Sequence, residues 1–275
     1  NGTLWVGSHE KGLAKFVSEP NLFTHLTIKK GPQIDLAEQT IWSVAADANG
    51  YAWMTSQHGH VNKLNLNGMS FEDAKLDTIE KARALAITGQ SVYISTPNGI
   101  YSKDLSTEAL HKLPLTSSDL FLDRILTSAN KAWLGTKSGS LMEISTEAHQ
   151  FNIKEIQLSE SIDSVVEPVS VLHNVFWANE NMSLVAYRIT GNSTPTPLYK
   201  SKKPIRASTV IKIDTLYWVL STNGGILLLN DAFHLIKTPA YLAPLDNEPL
   251  LSAQLVDDTL WVSSINKIYK IDTVK

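Results

Sequence analysis

An aromatic residue returns through this sequence at a near-constant interval, each time inside the same short phrase. The phrases are Leu4-Trp5-Val6-Gly7-Ser8, Ala52-Trp53-Met54-Thr55-Ser56, Val92-Tyr93-Ile94-Ser95-Thr96, Ala132-Trp133-Leu134-Gly135-Thr136, Phe176-Trp177-Ala178-Asn179, Tyr217-Trp218-Val219-Leu220-Ser221 and Leu260-Trp261-Val262-Ser263-Ser264. Successive aromatics lie 48, 40, 40, 44, 41 and 43 residues apart. A period near forty means one supersecondary unit repeated, each copy burying its apolar faces against its neighbours.

Aligned under one another, the copies share a four-part frame. An apolar stretch comes first: Ile41 to Ala46, Ala82 to Ile87, Arg124 to Thr127, Val165 to Leu172, Ile205 to Ile213 and Leu251 to Val256. Short turns follow it, at Asn49-Gly50, Gly89-Gln90, Asn130-Lys131, His173-Asn174, Asp214-Thr215 and Asp257-Asp258. Such residues tolerate the positive φ of hairpin turns, so these join antiparallel strands. The aromatic phrase is the second strand. A third apolar strand and a more polar fourth close each copy, as the outermost strand of a blade meets water.

The frame predicts an all-β chain: a seven-bladed β-propeller of four-stranded antiparallel blades, in a single domain over 1–275. The blades fall near 1–30, 41–77, 82–116, 124–158, 165–201, 205–241 and 251–272. The first and last are incomplete, since the first copy begins inside its second strand and the seventh ends after its third. This reads as a piece of a longer protein. A helix competes over Phe71 to Leu85, where Glu72, Lys75, Glu80, Lys81 and several alanines favour one. The period instead places an outer strand, a loop and an inner strand there. Thr194-Pro195-Thr196-Pro197 reads as a stiff outer strand or loop, since proline is kept out of central strands.

Composition narrows the function. The chain has 275 residues and a formal charge of −3, so no basic field suggests a nucleic-acid surface. No apolar run approaches the roughly 18 residues of a membrane span. With no cysteine, disulfides and thiolate chemistry are excluded. No Ser–His–Asp order, phosphate loop or carboxylate pair stands out, so neither a catalytic residue nor a cofactor is expected.

Asn1-Gly2-Thr3-Leu4-Trp5-Val6-Gly7-Ser8 followed by Gly12-Leu13 resembles the repeats called two-component regulator propellers. Ile41-Trp42-Ser43-Val44 through Asp47, Gly50, Trp53, Thr55, Gly59 and Leu64 is similar to a full copy, and Ala132 to Thr136 through Gly139 to a third. The chain departs from the pattern at Ala178-Asn179 and Leu220, where glycine is preferred, and at Asn266. The resemblance implies a periplasmic sensor region of a bacterial receptor. It also implies flanking domains, a histidine kinase or a diguanylate cyclase, or a second propeller.

Propellers bind ligands at the channel mouth, where the inner strands begin. Arg83, Arg124 and Arg206 open inner strands there at intervals of one and two periods, with Trp42 one period earlier and Val165 between. Guanidinium groups take carboxylate, sulfate or phosphate in planar contacts, and an indole offers a stacking face to a sugar. These four are the candidate ligand-binding residues, for a small anionic molecule or saccharide. The competing reading pairs each arginine with a neighbouring acid such as Asp123 or Asp163. His9, His58 and His60 are weaker candidates for a rim metal site, without a proper ligand spacing. Glu10, Lys11, Lys137 and Glu180 read as solvated loop charges, and the seven aromatics as core.

The leading expectation is therefore an extracytoplasmic ligand-binding propeller whose output lies in another domain. One alternative is a protein-binding platform, and another is a propeller lyase using a rim histidine and a divalent cation.

Overall fold

The computed structural model describes residues 40–76, 78–115, 119–120, 122–128, 130–147, 150–158, 165–189 and 195–273, with the backbone of 3–8, 12–17 and 23–26. Among the described residues its elements are strands and a short 3-10 helix at Ala240–Leu245 that buries Leu242 and Leu245. Strands β1 (Thr3–Ser8), β2 (Gly12–Val17) and β3 (Phe23–Leu26) form a three-stranded sheet. The next two sheets are β4 (Ile41–Ala46), β5 (Tyr51–Ser56), β6 (Val61–Asn65) and β7 (Ser70–Glu72), then β8 (Leu85–Thr88), β9 (Ser91–Thr96), β10 (Gly99–Asp104) and β11 (Leu110–Lys112). After them come β12 (Leu126–Ser128), β13 (Lys131–Gly135), β14 (Ser140–Glu147) and β15 (Gln150–Gln157), followed by β16 (Val166–Leu172), β17 (Val175–Glu180), β18 (Ser183–Arg188) and β19 (Thr196–Lys200). The last two sheets are β20 (Ala207–Ile213), β21 (Leu216–Ser221), β22 (Ile226–Asn230) and β23 (Leu235–Ile236), and the three-stranded β24 (Leu250–Val256), β25 (Thr259–Ser264) and β26 (Ile268–Asp272). In every sheet each strand pairs with its neighbour in sequence.

The fold is an all-β propeller with six blades of three to four antiparallel strands, which corrects the seven expected from counting aromatics. The six blades run from β4 to β26. The phrase around Trp5 lies on β1, in the separate three-stranded sheet β1–β3. The last of the six has three strands rather than four.

The chain divides into two compact units, Asn1–Leu134 with Glu143–Ile153, and Gly135–Met142 with Lys154–Lys275. In the first unit, the first strands of successive blades adjoin, β4 with β8 and β8 with β12. In the second, β16 adjoins β20 and β20 adjoins β24.

The turns obey the chemistry of their residues. Gly89, His173, Asp214 and Asp257 open the first turn of their blades at φ 56, 55, 51 and 50. Glycine, Asp and Asn-like side chains reach this region at low cost. Helix is absent from the described residues between Phe71 and Leu85, where Lys75 and Lys81 take φ 52 and 57. Those values break a helical run, so the repeat frame overrides local propensity there.

Trp53, Trp177 and Trp218 pack against the blade that follows their own. Trp53, Tyr93, Trp133, Trp177 and Trp218 are buried, and Trp261, on the three-stranded blade, is half-buried. The side chain of Trp5 lies outside the described residues. In the first unit Trp53 packs with Ala82, Leu85, Val92 and Ile94 of the next blade. In the second, Trp177 meets Tyr217 of the following blade at 5.3 Å between ring centroids, and Trp218 packs with Leu250, Leu260 and Val262. Each such burial contributes about 1.5–3 kcal/mol.

Two residues past the aromatic, the side chain meets the start of the next blade. Thr55 Oγ1 donates to the carbonyl of Arg83 at 2.8 Å, and Ser95 Oγ to that of Leu122 at 2.5 Å. Asn179 exchanges two hydrogen bonds with the backbone of Ala207. Gly135 has no side chain, and an added Cβ would stand 1.9 Å from the carbonyl oxygen of Val166. The junction thus admits either a bare backbone or a side chain that bonds to the next strand. Asn179, where glycine is preferred, takes the second course.

Among the described residues, no helix is long and apolar enough to cross a membrane.

Candidate functional site

The first strand of a blade begins with an irregular pair. In β4 the register slips between Ile41 and Ser43, and in β24 between Leu250 and Ser252. A β-bulge re-aims the extra residue, and here it turns Trp42 and Leu251 outward, at 40% and 44% exposure. Trp42 is therefore an exposed indole on a rigid strand, not a core residue.

The ladder fixes which residues share this position. The partners of the repeated aromatics are Ala45 for Trp53, Ala86 for Tyr93, Leu126 for Trp133 and Ile211 for Trp218. Arg83 precedes Ala86 by the interval that separates Trp42 from Ala45, three residues. Asp123 precedes Leu126 by the same interval. Arg124 stands one residue later in the frame, and Arg206 two residues earlier. The expectation that three arginines share one repeat position is thus corrected. Arg83 alone of them shares the position of Trp42, and each of the three lies just before a strand rather than within it.

Position and contact agree. The Arg83 guanidinium lies over the Trp42 ring, 4.6 Å from its centroid. Its Nη1 is 4.0 Å from Asp123 Oδ1, with the two side chains 44% and 68% exposed. Trp42, Arg83 and Asp123 so form a row across three consecutive blades of the first unit. The Arg83 backbone is held on both sides, its N–H donating to Ser95 O at 2.9 Å and its carbonyl accepting from Thr55. The exposed ion pair contributes at most about 1 kcal/mol, and the stacked cation a similar amount. Both are weak enough for a ligand to replace.

Arg206 is placed differently. In the second unit its Nε is 3.5 Å from Glu167 Oε2, and Glu167 Oε2 also accepts from Asn179 Nδ2 at 3.3 Å. Its N–H donates to Asn223 Oδ1, and its carbonyl accepts from the N–H of Thr222 at 2.9 Å. Pairing with a neighbouring acid is the competing reading of the arginines, and the contact of Arg83 with Asp123 meets it as well. Arg124 is half-buried.

His58 and His60 are both exposed on the turn between β5 and β6, while His9 and Asp163 lie outside the described residues. Among the described residues no three His, Asp or Glu side chains gather as metal ligands.

Glu180 is a further correction. It is 6% exposed rather than solvated, and the Tyr187 hydroxyl donates to its Oε1 at 2.6 Å. Burial pushes the Glu180 carboxyl above the ordinary range, and burial with the Glu180 bond pushes the Tyr187 phenol up. One signal was available in the sequence: the third residue past the aromatic is Ser or Thr in the other blades, at Ser56, Thr96, Thr136, Ser221 and Ser264.

No protein-family model matches this sequence, and no curated protein matches it. Solved structures do. The chain aligns over 98% of its length with the extracellular domain of the hybrid two-component system BT4673 of B. thetaiotaomicron, at 16% identity and TM-score 0.71, and covers 36% of that chain. It aligns over 99% of its length with PorZ, a surface component of the type-IX secretion system of Porphyromonas gingivalis, at 12% identity and TM-score 0.74, and covers 45% of it. Streptogramin B lyase is 17% identical at TM-score 0.70, with 98% of this chain and 89% of that one covered. The likeness is one of fold. The chain spans less than half of the two longer proteins.

Proposed function

We propose that this chain is an extracytoplasmic binding propeller of a bacterial signalling receptor, one domain over 1–275. In this reading it takes a small anionic molecule or acidic saccharide against Trp42 and Arg83 and passes occupancy to flanking domains of the same protein. The observation that carries it is the stacked, solvent-open pair of indole and guanidinium, a face for a flat ring beside a donor for an acid group. The neighbourhood of two-component extracellular domains supports the sensing part. A kinase or cyclase as the output, and a periplasmic location, belong to the same proposal.

The test is a screen of uronic-acid and sulfated oligosaccharides beside their neutral counterparts, read as thermal shift. A rise in Tm with acidic members alone supports the reading. No shift with any acidic member, or equal shifts with neutral ones, overturns it.

A further inference from the structure

At the other end of β4 from Trp42, in the first unit, a cleft of roughly 170 Å³ opens between the turn after β4 and the turn after β10. Asp47, Asp73 and Glu108 line it, with Lys63, Lys103 and Tyr51. The three carboxylates are already engaged. Asp47 Oδ1 accepts from the N–H groups of Asn49 and Tyr51 at 2.9 and 3.0 Å, and Oδ2 from the Trp53 indole at 2.8 Å. Asp73 Oδ1 accepts from the Lys75 N–H at 2.7 Å, and the Glu108 carboxylate pairs with the Lys75 ammonium.

The lysines are engaged less fully. Lys63 Nζ lies 3.9 Å from the Tyr51 ring centroid and 3.5 Å from Glu72 Oε2. Lys103 is 3% exposed, yet among the described residues its Nζ donates one hydrogen bond, to the Glu108 carbonyl at 3.2 Å. An ammonium has three donors, and a buried charge is costly unless paired. Burial pushes the Lys103 amine below its ordinary range, in keeping with that deficit.

The geometry points to a second binding site in this cleft, for a small carboxylate that accepts hydrogen bonds from Lys103, with Lys63 adding positive charge. The carboxylate supplies acceptors for the Lys103 donors that the Glu108 carbonyl leaves unmet. The side chains already holding Asp47, Asp73 and Glu108 keep those groups from competing for the same ammonium.

Acetate, propionate and inorganic phosphate, titrated by calorimetry against the full chain, test this. The expected result is saturable binding of a carboxylate, weakened by about tenfold or more in Lys103→Met, a loss of about 1.4 kcal/mol. Lys63→Met, at a half-buried ammonium, should weaken it too, and carries the test if Lys103→Met does not fold. No saturable binding of either carboxylate, preference for phosphate, or unchanged affinity in the variants overturns the assignment. Loss of binding in Arg83→Ala instead would place the anion at the Trp42 end and overturn it equally.

Discussion

The side chain of Asn179 and the backbone of Ala207 exchange two hydrogen bonds, Nδ2–H to the carbonyl at 2.8 Å and the Ala207 N–H to Oδ1 at 2.9 Å. The carboxamide so behaves as one residue of a strand added to the next blade. Both partners are buried. Asn179→Ala orphans two backbone groups, each costing about 1–3 kcal/mol. The expected loss is about 2–4 kcal/mol, read as a lower urea midpoint at unchanged m-value.

Gly135 holds the same place in its blade by the opposite means. An added Cβ would stand 1.9 Å from Val166 O and 2.8 Å from Pro168 Cδ. Gly135→Ala must push two strands apart, so a loss of about 3 kcal/mol or more is expected, at the upper end for overpacking. Thermal unfolding by circular dichroism reads it.

Glu180 gives the chain a pH dependence of known sign. Its folded pKa is raised, chiefly by burial, so the folded state binds its proton more tightly than the unfolded state. Stability from this group is complete below the unfolded carboxyl pKa and falls as pH rises from there through the raised folded value. Glu180→Gln keeps an acceptor for the Tyr187 hydroxyl and removes the buried charge. Its Tm should exceed wild type at pH 7 and converge with it near pH 4.

Asp104 has the opposite sign. The Ser106 hydroxyl and the backbone N–H groups of Thr107 and Ser106 hold its carboxyl down to about 2. The stability it contributes is present above the ordinary aspartate pKa and is lost as pH falls through about 2. Asp104→Ala should therefore lower Tm at pH 7 and lose that difference in acid titration.

Much of the fold was legible because indoles and turn residues report one period. Ile41 to Ala46 is the predicted first strand residue for residue, and the turns after β8, β16, β20 and β24 fall where glycine, His and Asp were read. The blade count was not legible, because the sequence carries seven aromatic phrases, which count as seven blades, and the fold has six. The arginine position failed for a related reason. Arg83 and Arg124 are 41 residues apart while Tyr93 and Trp133 are 40 apart, and a single residue changes the position on a strand. Lys103 gave no signal, since a lysine on a third strand reads from sequence as solvated, whereas it is 3% exposed.

The account turns on Trp42 and Arg83 as one binding face. An acidic oligosaccharide taken from the screen, titrated by calorimetry against wild type, Trp42→Ala and Arg83→Ala, measures it directly. Each variant should bind at least about tenfold more weakly, or about 1.4 kcal/mol, with the fold intact by circular dichroism. Wild-type affinity in both variants would contradict the account.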